Sequence, residues 1–304
     1  MKRALSVFAS IGLMTALVVG TISCEKVEGT GRGTFYLLSA EEENKMGADA
    51  YKEIVSKEKV STDAEIIALV ERVGKRLAAA APDKGFKYDF TVLESDQVNA
   101  FCLPGGKVCV YTGILPYCQN EAGLATVMGH EIAHAIARHG GERMSKGLIV
   151  EGVGAGIDAL LSERGASATT KNVTRAAYGA GTTVGVMLPY SRSHESEADY
   201  LGLTYMSKAG YDPNEAPKFW ERFSALKSNV PNFLSTHPAS EDRARDLKAK
   251  LPEGQKLYEA AANKYGAGEA IPERYRKAAA PAAKEEPAKK EPPAEQPKKK
   301  KKKK

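Results

Sequence analysis

Two histidines four positions apart, His130 and His134, bracket Glu131-Ile132-Ala133 inside a run of residues, 120–139, that reads as one helix. Asn120 suits its N-cap, and Gly140-Gly141 mark its end. Residues four apart share a helix face, with Cβ atoms ~5–6 Å apart, so both imidazoles can reach one zinc ion at ~2.0–2.1 Å. Glu131 sits beside the first histidine, where it can aim at a water in an open coordination position. Leu124, Val127, Ile132 and Ile136 make the rest of the helix apolar, so such a site would lie against a dry wall.

A catalytic zinc needs a third protein ligand. His139 follows His130 by nine residues, but Ala137 stands where the HExxHxxGxxH pattern requires glycine. His139 therefore reads as a helix C-terminal residue favoured by the dipole. Downstream, Ser193-His194-Glu195-Ser196-Glu197-Ala198-Asp199 falls in a second helical run, 193–208. Glu195 and Asp199 share a face there. Glu195 can ligate the ion, and Asp199 can accept the outer N–H of a ligating histidine, fixing its tautomer. Glu197 reads as part of a solvated acidic face.

Charge excludes one class of partner. The 304 residues carry 44 basic and 38 acidic side chains, and the whole surplus of six lies in residues 281–304, which end in seven lysines. The body is neutral, so no nucleic-acid partner is expected. The tail, rich in Ala, Pro, Glu and Lys, is expected to be disordered from residue 266 onward; an anionic surface is the partner its lysines would suit. At the other end, Lys2 and Arg3 precede an apolar stretch and then Thr21-Ile22-Ser23-Cys24. This resembles a bacterial lipoprotein signal, residues 1–23, with Cys24 as the lipidated residue and a linker over 24–40. Glu25 rather than aspartate leans the location toward the outer membrane. Of the other cysteines, Cys102 and Cys109 flank Pro104-Gly105-Gly106-Lys107; they either face each other across a hairpin or stay reduced and buried with Cys118.

Further elements follow from periodicity and turn residues. Helices are expected over 41–51, over 63–81 with Asp63 as N-cap, over 214–226, and from about Pro238. Strands are expected over 88–93, and over 98–103 and 108–112 as a hairpin. Two Gly-rich apolar stretches, 147–161 and 176–188, read as packed core helices, too short and charged for membrane spans.

His130-Glu131-Ile132-Ala133-His134 followed by Glu195-Ser196-Glu197-Ala198-Asp199 resembles the gluzincin zinc peptidases of the CAAX prenyl protease 1 family. Asn99-Ala100-Phe101-Cys102-Leu103-Pro104-Gly105-Gly106, Leu188-Pro189-Tyr190-Ser191-Arg192, and Ser235-Thr236-His237-Pro238 with Arg243 resemble its soluble quality-control branch of bacterial periplasm and mitochondria. The resemblance implies an α+β fold: a mainly helical zincin-like metallopeptidase domain, residues 41–265, with a small antiparallel sheet whose edge strand borders the active site. It implies one zinc ion per chain on His130, His134 and Glu195, with Glu131 as general base and Asp199 behind a ligand histidine. A substrate backbone would add at Asn99, Ala100 and Phe101. His237 resembles a loop histidine that takes the open zinc position and holds the enzyme latent. Arg243 would support that loop or bind a substrate carbonyl, and His194 is either a candidate oxyanion donor or a surface residue beside the site. The implied role is endoproteolysis of misfolded or misassembled envelope proteins. An envelope assembly factor with latent protease activity is the alternative.

Overall fold

The computed structural model describes residues 23–163, 167–170, 191–224, 237 and 241–276. The expected signal residues before 23, the stretch 176–188, the lead-in 188–190, the helix start at Pro238 and the tail beyond 276 lie outside them.

Helix α1 (Ala40–Lys57) opens with a capping box between Ser39 and Glu42. Helix α2 (Ala64–Ala80) is capped by Asp63, whose carboxylate accepts the Glu65 N–H at 3.1 Å; Ile66, Leu69, Val70, Val73 and Leu77 form its buried stripe. Helix α3 (Glu121–Ile136) carries both site histidines. Asn120 caps it, accepting the Gly123 N–H at 2.8 Å. Every residue of α3 is buried, because α2, the sheet and helix α5 (Arg192–Lys208) pack around it. Helix α4 (His139–Glu163) follows α3, while α6 (Glu215–Ser224) and α7 (Glu241–Ala260) close the far side.

Glycine decides how near α3 and α5 come. A Cβ on Gly202 would stand 2.8 Å from the His130 nitrogen, and one on Gly129 would stand 3.1 Å from the Gly202 oxygen. Without side chains at this crossing, the helix bearing His130 lies directly on the helix bearing Glu195.

Strands β1 (Ser23–Lys26) and β2 (Gly33–Tyr36) form an antiparallel pair. Strands β3 (Asp89–Leu93), β4 (Ala100–Leu103) and β5 (Lys107–Tyr111) form a second sheet in the order β3-β5-β4. The β4–β5 hairpin turns through Gly105 and Gly106, both at positive φ. β3 runs parallel to β5, so the sheet is mixed, not wholly antiparallel. β4 is an edge strand and packs against α3.

Several expectations are corrected. Residues 24–40 are no linker: β1 and β2 pair there, and the Tyr36 hydroxyl donates to the Ala137 carbonyl at 3.1 Å. The glycines of this stretch serve its turn, where Gly29 and Gly31 have positive φ. At the other end, residues 266–276 belong to the domain, because Ile271 is fully buried and the Glu121 N–H donates to the Glu269 carbonyl at 2.9 Å. Gly140-Gly141 do not end a helix. The break falls at Ala137-Arg138, where Arg138 takes φ 54° while its guanidinium is held by Glu43 and the Leu38 carbonyl, both at 2.8 Å. Residues 147–161 are the outer part of α4 and expose Leu148, Ile149, Val153 and Leu160 among the described residues, so they are not a packed core helix there. Cys102 pairs in register with Val108, and Cys109 with Phe101, so the two cysteines point to opposite faces of the sheet. All four cysteines are free.

Candidate metal centre

The helical repeat puts His130 and His134 one turn apart on α3, and the first turn of α5 brings Glu195 over them. Ser191 starts that turn by accepting the His194 N–H at 3.3 Å. His130 Nε2 lies 3.1 Å from His134 Nε2. Glu195 Oε2 lies 3.5 Å from the first of these nitrogens, and Oε1 lies 3.3 Å from the second. His237 closes the group, its Nδ1 3.3 Å from His130 Nε2 and 3.1 Å from Glu195 Oε1. One ligand atom from each of these four buried residues lies within 4.8 Å of the others.

The ring nitrogens facing away are also engaged. His130 Nδ1 lies 3.0 Å from Asp199 Oδ1, the residue one turn beyond Glu195. His134 Nδ1 lies 2.8 Å from His139 Nδ1. Both Nε2 atoms thus converge with two carboxylate oxygens in a space with almost no exposed surface. Imidazole nitrogens and carboxylate oxygens are donors that zinc takes, and a cation reconciles so many electron-rich atoms at one point. Glu131 Oε1 is buried without a hydrogen-bond partner among the described residues and stands 3.6 Å from His237 Nε2. The residues therefore fit a metal ion with Glu131 beside it.

Electrostatics separates the two glutamates. Burial pushes Glu131 up to about 7, while His237 pulls the other way. Glu195 is held well below the usual carboxylate range: burial opposes this, but contacts from His130, His134 and His237 outweigh it. A carboxyl poised near neutrality suits proton transfer, and one fixed as an anion suits ligation.

Arg243 is engaged within the centre. Its Nε and Nη2 engage both Asp199 oxygens at 2.7 Å, and its Nη1 lies 3.0 Å from Glu195 Oε2. Its guanidinium lies on the Trp220 ring, 3.4 Å from the centroid, and Trp220 in turn meets His130 edge-on. His194 is buried rather than superficial and lies outside the four-residue cluster, stacked on His139 at 4.3 Å with Nε2 3.2 Å from Glu142.

His139 and Glu197 differ most from expectation. His139 starts α4, fully buried, and its Nε2 lies 2.8 Å from Glu197 Oε2. Burial pushes its imidazole down to about 4. Glu197 is buried too; against the upward pull of burial, His139, Thr30 and Arg32 hold it at about 2. Spacing from His130 tests His139 only as a ligand; five residues after His134, across a helix break, it reaches that histidine's outer nitrogen instead. Arg32 and Trp220 carry no motif that ties them to the centre.

The β4 edge continues the site. A cleft of about 690 Å³ runs from Cys102, Leu103 and Pro104 to His134, walled by Met46, Met144 and Leu148. Ala100 and Phe101 lie in β4, and Asn99 precedes it, its carbonyl accepting the Tyr111 N–H at 3.1 Å.

Residues 62–251, more than half the chain, match Peptidase family M48. The chain belongs to peptidase family M48. The matched span includes His130-Glu131-Ile132-Ala133-His134 and all four members of the buried M48 cluster. Similar proteins include mitochondrial metalloendopeptidase OMA1 of Schizosaccharomyces pombe, 36% identical over 76% of this chain and 67% of the relative. OMA1 of Saccharomyces cerevisiae is 38% identical over 58% of this chain and 50% of the relative. The beta-barrel assembly-enhancing protease of Escherichia coli K12 is 28% identical over 78% of this chain and 50% of the relative. The chain thus spans between half and about two thirds of the length of these M48 relatives.

Proposed function

We propose that this chain is a zinc-dependent endopeptidase of the bacterial cell envelope that degrades misfolded or misassembled envelope proteins. The observation that carries the reading is the convergence of His130 Nε2, His134 Nε2 and the Glu195 oxygens beside the buried Glu131 Oε1, which has no hydrogen-bond partner among the described residues. His130, His134 and Glu195 would hold one zinc ion, which would supply Lewis acidity toward a peptide carbonyl and a water. Glu131 takes the proton from the attacking water as its oxygen bonds to the carbonyl carbon. It then returns the proton to the amine as the C–N bond breaks. Asp199, clamped by Arg243, orients His130.

β4, the edge strand of its sheet among the described residues, suits an extended, unfolded substrate, whose backbone would pair with residues 99–103 while its side chains enter the neighbouring cleft. Envelope location draws on the signal-like start, on the exposed Cys24 as a lipid attachment point and on the Escherichia coli relative's place in β-barrel assembly. No helix among the described residues is long and apolar enough to cross a membrane. A lipid on Cys24 would be the anchor, with the terminal lysines on an anionic surface as a second contact.

A casein digestion tests the reading. The zinc-loaded parent should cut, while the chelated parent and Glu131→Gln should not. Equal digestion by Glu131→Gln overturns it.

One observation favours a second, regulated form of the same reading. His237 lies beside the candidate ligands, which supports a latent protease whose open zinc position this ring would take, as for an assembly factor whose proteolysis is conditional.

A further inference from the structure

The two candidate ligand histidines are held from behind in different ways. His130 meets a carboxylate directly, whereas His134 meets the ring of His139. A 2.8 Å contact between two imidazole nitrogens holds one proton, and its owner fixes which nitrogen of His134 keeps its lone pair for a metal. The far side of His139 decides the question. Its Nε2 lies 2.8 Å from Glu197 Oε2, an acceptor, so the His139 proton sits on Nε2 and its Nδ1 accepts. His134 must then donate from Nδ1, which leaves the Nε2 lone pair facing Glu195 and His130.

What holds Glu197 in place comes from the ribbon at the start of the domain. Arg32 Nε donates to Glu197 Oε2 at 2.7 Å, and the Thr30 hydroxyl donates to Oε1. Arg32 Nη1 also reaches Glu142 Oε2 at 2.8 Å, and Lys146 reaches Glu142 Oε1 at 2.7 Å. Two carboxylates are thus matched by two cations, Arg32 and Lys146. His194 stacks on His139 with an interplanar angle of 17° and keeps that ring flat against the network.

We infer that Arg32 and Thr30, in the turn between β1 and β2, are positioning residues for the metal centre, setting the tautomer and orientation of His134 through Glu197 and His139. The ribbon that follows Cys24 is then a working part of the active site, not a tether. The inference rests on the zinc reading above, and its test separates the two.

Zinc affinity of the full chain is measured by chelator competition for the parent, Arg32→Met, Thr30→Val, Glu197→Gln and the Arg32→Met/Glu197→Gln pair. The absorption spectrum of the cobalt-loaded forms and the melting temperature of the metal-free forms are recorded alongside. Loss of such an outer partner weakens metal binding about ten- to a hundredfold. That loss is expected in Arg32→Met and Glu197→Gln, with a changed cobalt spectrum and a smaller loss in Thr30→Val. The pair should lose no more than Glu197→Gln alone, because both act along one path. If Arg32→Met does not fold, Thr30→Val and Glu197→Gln carry the same test. Zinc affinities within twofold of the parent overturn the inference, as do additive losses or a fall in melting temperature alone. A parent that binds no zinc overturns the zinc reading instead.

Discussion

His237 Nε2 stands 3.6 Å from Glu131 Oε1 while its Nδ1 stands 3.1 Å from Glu195 Oε1, so one ring lies between the two carboxylates. In the proposed reaction a substrate carbonyl and a water would meet in that space. Removing the ring by His237→Ala should raise casein hydrolysis severalfold at fixed zinc without changing the melting temperature by more than a few degrees. Reduced activity would make His237 an obligatory ligand rather than a block.

The glycine crossing between α3 and α5 gives a paired prediction. Gly202→Ala puts a methyl 2.8 Å from the His130 nitrogen, inside contact distance of backbone that cannot yield. It should cost about 1–3 kcal/mol through overpacking and weaken zinc binding by shifting His130 from Glu195. Gly140→Ala meets nothing within 4 Å in the first turn of α4, so it should be neutral or stabilise by up to about 1 kcal/mol. Chemical denaturation and zinc titration of both variants check the contrast.

Burial pushes Glu131 up to about 7, above its unfolded value near 4.5. The native metal-free protein then binds the extra proton between those values, so this residue's contribution to stability falls as pH rises from 4.5 to 7. Glu131→Gln removes the penalty. The metal-free variant should gain on the parent by about 2–3 kcal/mol more at pH 8 than at pH 4.5, by the 1.36 kcal/mol per unit of linkage. Urea titrations at the two pH values read the difference directly.

The register of β4 against β5 sends Cys102 and Cys109 to opposite faces, and burial pushes the Cys109 and Cys118 thiols up to about 12. Neither should react with a thiol reagent at pH 8 in the native protein, and both should react in denaturant without prior reduction. A Cys102–Cys109 disulfide found by peptide mapping would contradict the strand register.

The sequence made α3, its cap and its two inward histidines legible, because capping and a four-residue spacing are local properties of one helix. Glu195 and Asp199 were legible for the same reason within α5. What local pattern could not show is which elements meet. Arg32 and Glu197 are 165 positions apart and join only because the ribbon folds onto the start of α5. Nor could it show that α3 breaks at Arg138, whose positive φ is held by Glu43 from another helix. That break turns His139 from a helix end into the partner of His134. Exposure misled similarly: Glu197 and His194 look like solvent-facing residues on a polar helix, yet Arg32 and Glu142 bury them.

The proposed chemistry needs His130, His134 and Glu195 to hold one zinc ion together beside Glu131. Zinc content per chain, measured by elemental analysis after dialysis against a dilute chelator, tests it most directly. About one zinc is expected in the parent and in Glu131→Gln, and far less in His134→Ala and Glu195→Ala, where one of three protein ligands is lost. Zinc retained in full by His134→Ala and Glu195→Ala, or absent from a folded parent, would contradict it.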